Sequence, residues 1–200
     1  MQQTAPADER RVVSPRARAG AALVERLAAD LDGVFEDVVV EHQQALFAFV
    51  TGLCGDPGRA EEVVQDAFVR AHRALGGYPA DRVRALALRP WLFRIALNAL
   101  RNSLRGRHLQ LVLVETPPDG VDPGAGPEAE ALRAAERRRL LRALASIPEE
   151  QRAAVLLRYA HDLSYPRIAE VQGRPLGTVK SDVHRGIEAL RRRMGAEVEV

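Results

Sequence analysis

The chain has 200 residues and a net charge of +2, and 46% of its residues are hydrophobic while only 4% are aromatic. This composition favours helices built on Ala, Leu, Val and Arg, so we expect an all-α protein. The single Cys54 excludes an internal disulfide, and no apolar run reaches membrane-spanning length. The single cysteine and the lack of a hydrophobic signal core favour a reducing cytoplasm. No zinc-ligand spacing, phosphate loop or hydrolase motif is found, so we expect a protein that is not an enzyme and uses no metal or cofactor.

Charge is distributed in blocks along the chain. Counting Lys and Arg against Asp and Glu gives +8 for residues 67–108 and +7 for 131–194, with −5 for 109–130 between them. Basic blocks of this kind suit surfaces that face nucleic acid. Two nucleic-acid-facing surfaces are therefore predicted, separated by an acidic segment.

The block pattern and the Pro/Gly-rich stretches divide the chain into four parts. Residues 1–33 mix Pro, Gly, Ala and charges, and are predicted to be a mostly disordered extension that includes at most a short amphipathic helix over 21–31. Residues 34–108 and 131–200 are predicted to be two small helical domains. The acidic segment 109–130 has no sustained period, so it is predicted to be a flexible linker.

Three helices are predicted in the first domain. Apolar residues keep helical spacing over 34–53 and again over 59–75, and the Gly-Asp-Pro-Gly run at 55–58 separates the two helices. After a loop over 76–88, a third helix covers 89–105, and Pro90 suits its first turn.

Two faces of these helices are candidate contact surfaces. The outward face of the 59–75 helix includes Glu62, Gln65, Asp66, Val69 and Arg70. The 89–105 helix has a polar, cationic face formed by Arg94, Asn98, Arg101, Asn102 and Arg105. Amides can read base edges, and Arg can bind phosphate or stack on unpaired bases. Ordinary solvated helix faces have the same pattern, so spacing alone leaves both interpretations open.

The last fifty residues predict a helix-turn-helix preceded by a supporting helix. The supporting helix covers about 147–160, and the Ser146 and Glu149 pair has the spacing of a capping box. Ser164 can cap the second helix, and the third begins near Gly177. In the third helix, one apolar side should face the other two helices: Val179, Val183, Ile187 and Leu190.

The opposite side of this third helix is free to meet a partner. Its candidate contact residues are Thr178, Lys180, Ser181, His184, Arg185 and Arg192. Small and hydroxyl residues followed by cations suit a helix whose first turn enters a major groove while its sides meet phosphates. A solvated amphipathic helix is the alternative interpretation.

The run IPEEQRAAVLLRYAHDLSYPRIAEVQGRPLGTVKSDVHR resembles the promoter-reading C-terminal domain of bacterial sigma factors of the extracytoplasmic-function (ECF) group. A similar GTVKS helix occurs in DNA-binding domains of response regulators, so this run alone leaves two families open. The segments GDPGRAEEVVQDAFVRAHRAL and RPWLFRIALNALRNSLR resemble the N-terminal domain of the same sigma factors, which response regulators lack. The alternative, a stand-alone helix-turn-helix regulator of response-regulator type, is thereby weakened. A small helical enzyme is a further alternative, but the five His residues are scattered.

The resemblance implies roles for the three candidate surfaces. Core RNA polymerase would dock on the outward face of the 59–75 helix. The cationic face of the 89–105 helix, with the loop before it, would hold the melted −10 promoter element. The third helix of the C-terminal domain would read the −35 element, with Arg185 and Lys180 leading. Core RNA polymerase and promoter DNA are thus the expected partners, an anti-sigma factor is a further one, and no membrane insertion is expected.

Two residues of the C-terminal helix depart from the family pattern. Gly186 stands where Ala is commoner, at a cost of roughly 1 kcal/mol in helix propensity. Asp182 stands where the family commonly has Arg, and the helix wheel places it on the exposed flank. A carboxylate there would be repelled by DNA phosphates, so Asp182→Arg is expected to strengthen DNA binding.

Overall fold

The computed structural model describes residues 15–104 and 127–195. These residues form nine α-helices and one π-helical turn, and they contain no strand, so the all-α fold is confirmed. The elements are α1 (Pro15–Ala29), α2 (Leu31–Cys54), α3 (Pro57–Gly76), α4 (Ala80–Arg84), α5 (Leu88–Leu104), α6 (Pro127–Ala145), α7 (Glu149–Val155), the π-helical turn Leu156–Ala160, α8 (Tyr165–Gln172) and α9 (Leu176–Gly195).

Local signals explain where α2 and α3 begin and end. The Asp30 side chain caps α2 by accepting a hydrogen bond from the Gly33 amide at 2.9 Å. Gly55 ends the helix in the left-handed conformation, with φ 72°, which a residue with a Cβ adopts at a cost. Asp56 then caps α3 through the Arg59 amide, with Pro57 in the first turn. The predicted break at 55–58 is therefore confirmed.

The N-terminal segment departs from the prediction. Residues 15–29 form α1, and Leu23, Val24 and Leu27 are buried against α2 and α4. The expectation that 1–33 is mostly disordered is therefore wrong over 15–33, while 1–14 lie outside the described residues. The reason is that one face of the helix carries three apolar side chains, whose burial offsets the entropy lost on ordering the segment.

The acidic linker is shorter than predicted at its C-terminal end. Helix α6 begins at Pro127, so the last four residues of the segment 109–130 are helical. The rest of that segment, 109–126, lies outside the described residues. In its first half α6 is largely exposed, and it is anchored mainly by Ala143 and Leu144 near its end.

The supporting helix of the C-terminal domain also differs from the prediction. The expected single helix over 147–160 is α7 followed by the π-helical turn, in which the His161 amide donates to the Leu156 carbonyl at 3.2 Å. The expected capping box does not form. The Ser146 hydroxyl donates to the Ala143 carbonyl at 2.7 Å, and the Glu149 carboxylate is engaged elsewhere. Ser164 precedes α8 but makes no side-chain cap hydrogen bond.

The cores of the two domains are continuous. One cluster of buried side chains runs from Phe49 and Phe93 in the N-terminal half to Leu157, Ile168 and Val179 in the C-terminal half. A smaller cluster joins the end of α6 to α7 and α9. The two helical units therefore pack directly on each other in this structure.

Candidate nucleic-acid and polymerase interfaces

Helices α8 and α9 form the predicted helix-turn-helix. Gly173 ends α8 in the left-handed conformation, with φ 65°, and Pro175 precedes the first residue of α9. The side chains of Val179 and Val183 lie on the inner side of α9 and are buried, as the helical spacing predicts. The opposite side of α9 is therefore presented to solvent.

The structure brings the predicted −35 residues together on that exposed side. Lys180, Ser181, His184, Arg185 and Arg192 are exposed, and Thr178 is half-buried. The Ser181 hydroxyl donates to the Gly177 carbonyl at 3.1 Å, so its oxygen keeps acceptor capacity for a partner. The exposed side of α9 therefore carries hydroxyl and cationic side chains together.

Asp182 does not lie on the exposed flank. Its residue exposure is 6%, and its Oδ2 accepts a hydrogen bond from Arg174 Nη1 at 2.7 Å. The pair ties the turn before α9 to the second turn of that helix. Because the carboxylate is buried and paired, the expected repulsion from DNA phosphates is wrong. The helix wheel placed the residue by angle alone and could not show that Arg174 lies beside it.

Close packing between two helices explains why residue 186 is a glycine. A Cβ at this position would lie 2.6 Å from Val155 Cγ2 and 3.2 Å from the Gln151 carbonyl oxygen. Helices α7 and α9 thus approach each other at a point where no side chain fits. The loss in helix propensity is offset by this contact, which sets how α9 sits on its support.

The predicted −10 residues lie on one face of α5. Arg94, Asn98 and Asn102 are exposed, Arg101 is half-buried, and Arg105 lies outside the described residues. Arg101 Nε donates to Glu149 Oε1 of the C-terminal domain at 2.8 Å. Part of this face is therefore turned toward the other domain, which the sequence did not predict.

The loop before α5 contains an ordered feature that sequence reasoning missed. The predicted loop includes the short helix α4, which places the Arg82 guanidinium 3.7 Å from the centre of the Tyr78 ring. The Tyr78 ring in turn lies 6.2 Å from the Trp91 ring. Aromatic and guanidinium planes of this kind can stack on unpaired bases.

The residues predicted to contact polymerase lie together on the outer face of α3. Glu62, Gln65, Val69 and Arg70 are exposed, and Asp66 is partly exposed and pairs with Arg70 at 2.8 Å. Val69 is 48% exposed at the centre of this charged face. The predicted face therefore combines charged and amide side chains with one exposed apolar side chain.

The contacts between the domains involve residues that the sequence did not single out. Arg152 is buried, and its Nη1 donates to the Leu53 carbonyl at the end of α2 at 2.7 Å. Burial lowers the pKa of this guanidinium from its usual value. The His161 ring lies 4.6 Å from the Phe93 ring and 5.8 Å from the Phe49 ring. Burial, aided by the charge of Arg89, lowers the pKa of His161 to about 4, so the ring is neutral at pH 7.

Other chemistry is not indicated by the parts of the chain that the structure describes. Over 15–104 and 127–195, no group of three or more His, Cys, Asp and Glu side chains is placed to hold a metal ion. None of the helices described is long and apolar enough to cross a membrane. Cys54 is a free, buried thiol, and burial raises its pKa.

An exposed cationic face on the helix-turn-helix and a second cationic helix face on α5 indicate a helical DNA-binding protein. Comparison with known protein families shows which kind of DNA-binding protein this is. Residues 38–109 match the family described as Sigma-70 region 2, and residues 137–190 match Sigma-70, region 4. The first match removes the response-regulator alternative, because response regulators have no such segment.

Sequence relatives agree with both matches. The RNA polymerase sigma-H factor of Pseudomonas aeruginosa is 31% identical over 185 residues, which cover 84% of this chain and 90% of the relative. The ECF RNA polymerase sigma-E factor of Escherichia coli K12 is 33% identical over 177 residues, with the same two coverages. The chain belongs to the ECF group of sigma-70 family RNA polymerase sigma factors.

Solved structures share the fold. CnrH, solved in complex with the cytosolic domain of CnrY, superposes with a TM-score of 0.65 at 25% identity over 89% of this chain and 98% of CnrH. The sigma factor RpoE of Bartonella quintana, solved with the anti-sigma factor NepR, superposes with a TM-score of 0.61 at 23% identity over 80% of this chain and 96% of RpoE. At this level of identity, the similarity to RpoE of Bartonella quintana shows only that the two proteins share a fold.

Proposed function

We propose that this ECF sigma factor uses the exposed side of α9 to read the −35 element of its promoters. The support is the combination of a buried apolar side, which fixes the helix on α7 and α8, with an exposed side of cations and hydroxyls. Arg185 and Lys180 lie in the N-terminal half of α9, which helix-turn-helix proteins insert into the major groove. Thr178, Ser181, His184 and Arg192 complete the surface and contact base edges or the backbone beside it.

The face of α5 is proposed to hold the melted −10 element. Asn98 and Asn102 supply amide groups for the edges of unpaired bases, and Arg94, Arg101 and Arg105 supply positive charge for the backbone. Extracting a base from duplex DNA costs a few kcal/mol, so this surface must offset the cost with stacking and charge. The Tyr78 and Arg82 stack beside α5 is placed to contribute.

The exposed face of α3 is proposed to bind core RNA polymerase through Glu62, Gln65, Asp66, Val69 and Arg70. The chain would then start transcription as a subunit of the polymerase, working in the cytoplasm and catalysing no reaction of its own. An anti-sigma factor is a further partner that the family resemblance implies. Splitting promoter recognition between two tethered domains raises the affinity for promoters that carry both elements at the right spacing.

A charge-matched pair of variants tests the polymerase face. Asp66→Arg is expected to abolish co-purification with core polymerase, because it reverses a charge beside Val69 and breaks the pair with Arg70. Glu136→Arg, on the exposed part of α6, makes the same charge change and should leave co-purification intact. Equal binding by both variants, with unchanged helical circular dichroism, would contradict the assignment.

A second pair tests the −35 surface. Holoenzyme containing Arg185→Ala should bind promoter DNA more weakly than wild type, by roughly 1–3 kcal/mol if Arg185 contacts a base. Arg191→Ala removes the same side chain from a different side of α9 and serves as the control. Promoters for the assay are first selected from a randomised duplex library with wild-type holoenzyme. Equal losses for both variants would point to general electrostatics instead of a reading surface.

A further inference from the structure

One pair of charged side chains joins the turn of the helix-turn-helix to α9. Arg174 lies in the turn between α8 and α9, and its Nη1 donates to Asp182 Oδ2 at 2.7 Å. The two ends of the pair differ in exposure, because the Asp182 side chain is 8% exposed and the Arg174 side chain is 32% exposed. The carboxylate is therefore the inner, fixed end of the pair, and the guanidinium is the outer end that reaches solvent.

The backbone at Arg174 is also held in place. Its amide donates to the Ala169 carbonyl at 3.1 Å, just after Gly173 ends α8. Pro175 follows directly, and a residue before proline is restricted to extended conformations. An arginine loses rotamer freedom when it binds a partner, and this loss opposes binding. Arg174 has already lost much of that freedom in the free protein, so a contact through its guanidinium costs less entropy.

The pair lies at the border of the side of α9 that is proposed to read the −35 element. On a helix surface, residues three and four positions apart are neighbours, with Cβ atoms about 5–6 Å apart. Thr178 and Arg185 are such neighbours of Asp182, and both belong to the proposed reading surface. The guanidinium that Asp182 holds is therefore beside that surface, along the first two turns of α9.

The docking geometry of helix-turn-helix proteins brings this border close to the DNA backbone. The second helix enters the major groove with its N-terminal half, while the helix before it crosses the backbone. The turn between the two helices is thereby carried to the edge of the groove, where the phosphates lie. A guanidinium has five N–H donors, so Arg174 keeps donors for a phosphate oxygen while Nη1 is bound to Asp182.

The pair could also do no more than hold the turn in place. In that case it would contribute to stability and leave the salt dependence of DNA binding unchanged. A phosphate contact displaces counterions from the DNA, and this release makes the affinity depend on salt concentration. The two roles therefore predict different measurements.

We propose that Arg174 contacts a phosphate beside the −35 element, and that Asp182 is the positioning residue that holds the guanidinium there. The proposal rests on the assignment of α9 to the −35 element. Its ligand is the backbone of duplex DNA, so the contact raises the affinity for every −35 sequence without preferring one of them. An acidic residue in a DNA-facing helix thus supports DNA binding through the arginine that it orients.

Arg174→Gln tests the phosphate contact, because glutamine keeps a donor for Asp182 and lacks the positive charge. Affinity of the holoenzyme is measured between about 50 and about 200 mM salt, on promoters selected from a randomised duplex library with wild-type holoenzyme. Loss of one phosphate contact lowers the slope of log affinity against log salt by about 0.9, so the advantage of wild type should shrink about 3.5-fold over this range. Arg174→Lys keeps the charge and should keep the slope. An unchanged slope in Arg174→Gln would overturn the contact.

Arg26→Gln is the matched control for the loss of charge. Arg26 is also paired with a carboxylate, that of Asp37 at 2.5 Å, but it lies on α1 and outside the three proposed contact surfaces. The substitution removes the same charge and should leave the slope at the wild-type value. If Arg26→Gln lowers the slope as much as Arg174→Gln does, general electrostatics explains both results and the contact at Arg174 is refuted.

Asp182→Ala tests the positioning role. If only net charge mattered, removing a carboxylate near DNA would tighten binding. If Asp182 positions Arg174, the substitution should instead weaken binding, and it should cause no further loss in a chain that already carries Arg174→Gln. Tighter binding by Asp182→Ala, or an equal loss with and without Arg174, would refute the positioning role. Arg174→Gln remains a test of the contact if Asp182→Ala fails to fold.

The phosphate contact and the −35 assignment fail in different ways. Arg185→Ala should change the preferred base at one position if α9 reads bases, whereas Arg174→Gln should weaken binding to all selected promoters by a similar factor. If Arg185→Ala changes neither the affinity nor the preference, the −35 assignment is wrong. If Arg185→Ala acts as expected while Arg174→Gln changes neither the affinity nor the salt slope, Arg174 is not a contact and the −35 assignment stands.

Discussion

Burial of His161 makes the stability of the protein depend on pH between about 6.5 and 4. The ring is enclosed by Phe49 and Phe93 and lies near the charges of Arg89, which disfavours protonation, and Asp162, which favours it. In the unfolded chain the same ring has its ordinary pKa of 6.5. Between pH 6.5 and about 4, His161 is therefore mostly protonated in the unfolded chain and mostly neutral in the folded protein.

The sign and size follow from this difference in pKa. The contribution of His161 to stability is fully present above pH 6.5, is lost as the pH falls toward 4, and changes no further below 4. A difference of about 2.5 pKa units, 6.5 minus 4, corresponds to about 3 kcal/mol in total. At about pH 5 the loss is roughly 2 kcal/mol, because most of the unfolded molecules and few of the folded ones carry the proton.

Urea unfolding of wild type and of the His161→Leu variant isolates this effect, because leucine fills a similar volume and does not titrate. The free energy of unfolding of wild type should fall by about 2 kcal/mol more than that of His161→Leu between about pH 7.5 and about pH 5. Every other titrating group is common to both chains, so the difference between the two pH profiles belongs to His161. Parallel profiles would refute the reasoning, since they would show that the ring is protonated as easily in the folded protein as in the unfolded chain.

Three further substitutions test the packing described above, each by urea unfolding. Gly186→Ala should destabilise the protein by about 1 kcal/mol, because overpacking against Val155 outweighs the gain in helix propensity; a more stable variant would contradict the close contact. Asp182→Arg should cost roughly 2–4 kcal/mol by placing a cation beside Arg174, whereas a stable variant with tighter DNA binding would restore the phosphate-repulsion hypothesis. Leu27→Ala should cost about 2–5 kcal/mol, and no change would mean that α1 does not pack.

The helices could be predicted because their signals are local. The spacing of Val179 and Val183 indicated which side of α9 is buried, and the Gly-Asp-Pro-Gly run indicated the break between α2 and α3. Both signals act within one or two helical turns. The family matches then supported the sigma-factor interpretation, while the roles of individual contact residues stay predictions.

The predictions that were wrong or missing depend instead on contacts that helical spacing does not encode. Asp182 was placed on the surface because a helix wheel gives an angle and does not show that Arg174 fills the space beside it. The capping box failed because Glu149 pairs with Arg101, 48 residues away in the sequence. Arg152 meets the Leu53 carbonyl across 99 residues, a separation at which periodicity carries no information. Packing between the domains was therefore beyond the reach of the sequence patterns.

The π-helical turn also determines how the protein tolerates changes in length. One residue of an α-helix turns the chain by about 100° and advances it by about 1.5 Å. Deleting a single residue from Leu156–Ala160 would convert the wide turn into ordinary α-helix and change the direction in which His161 leaves it. Such a deletion would move His161 out of alignment with Phe49 and Phe93. A one-residue change in chain length at this point would thus disrupt the packing between the two domains.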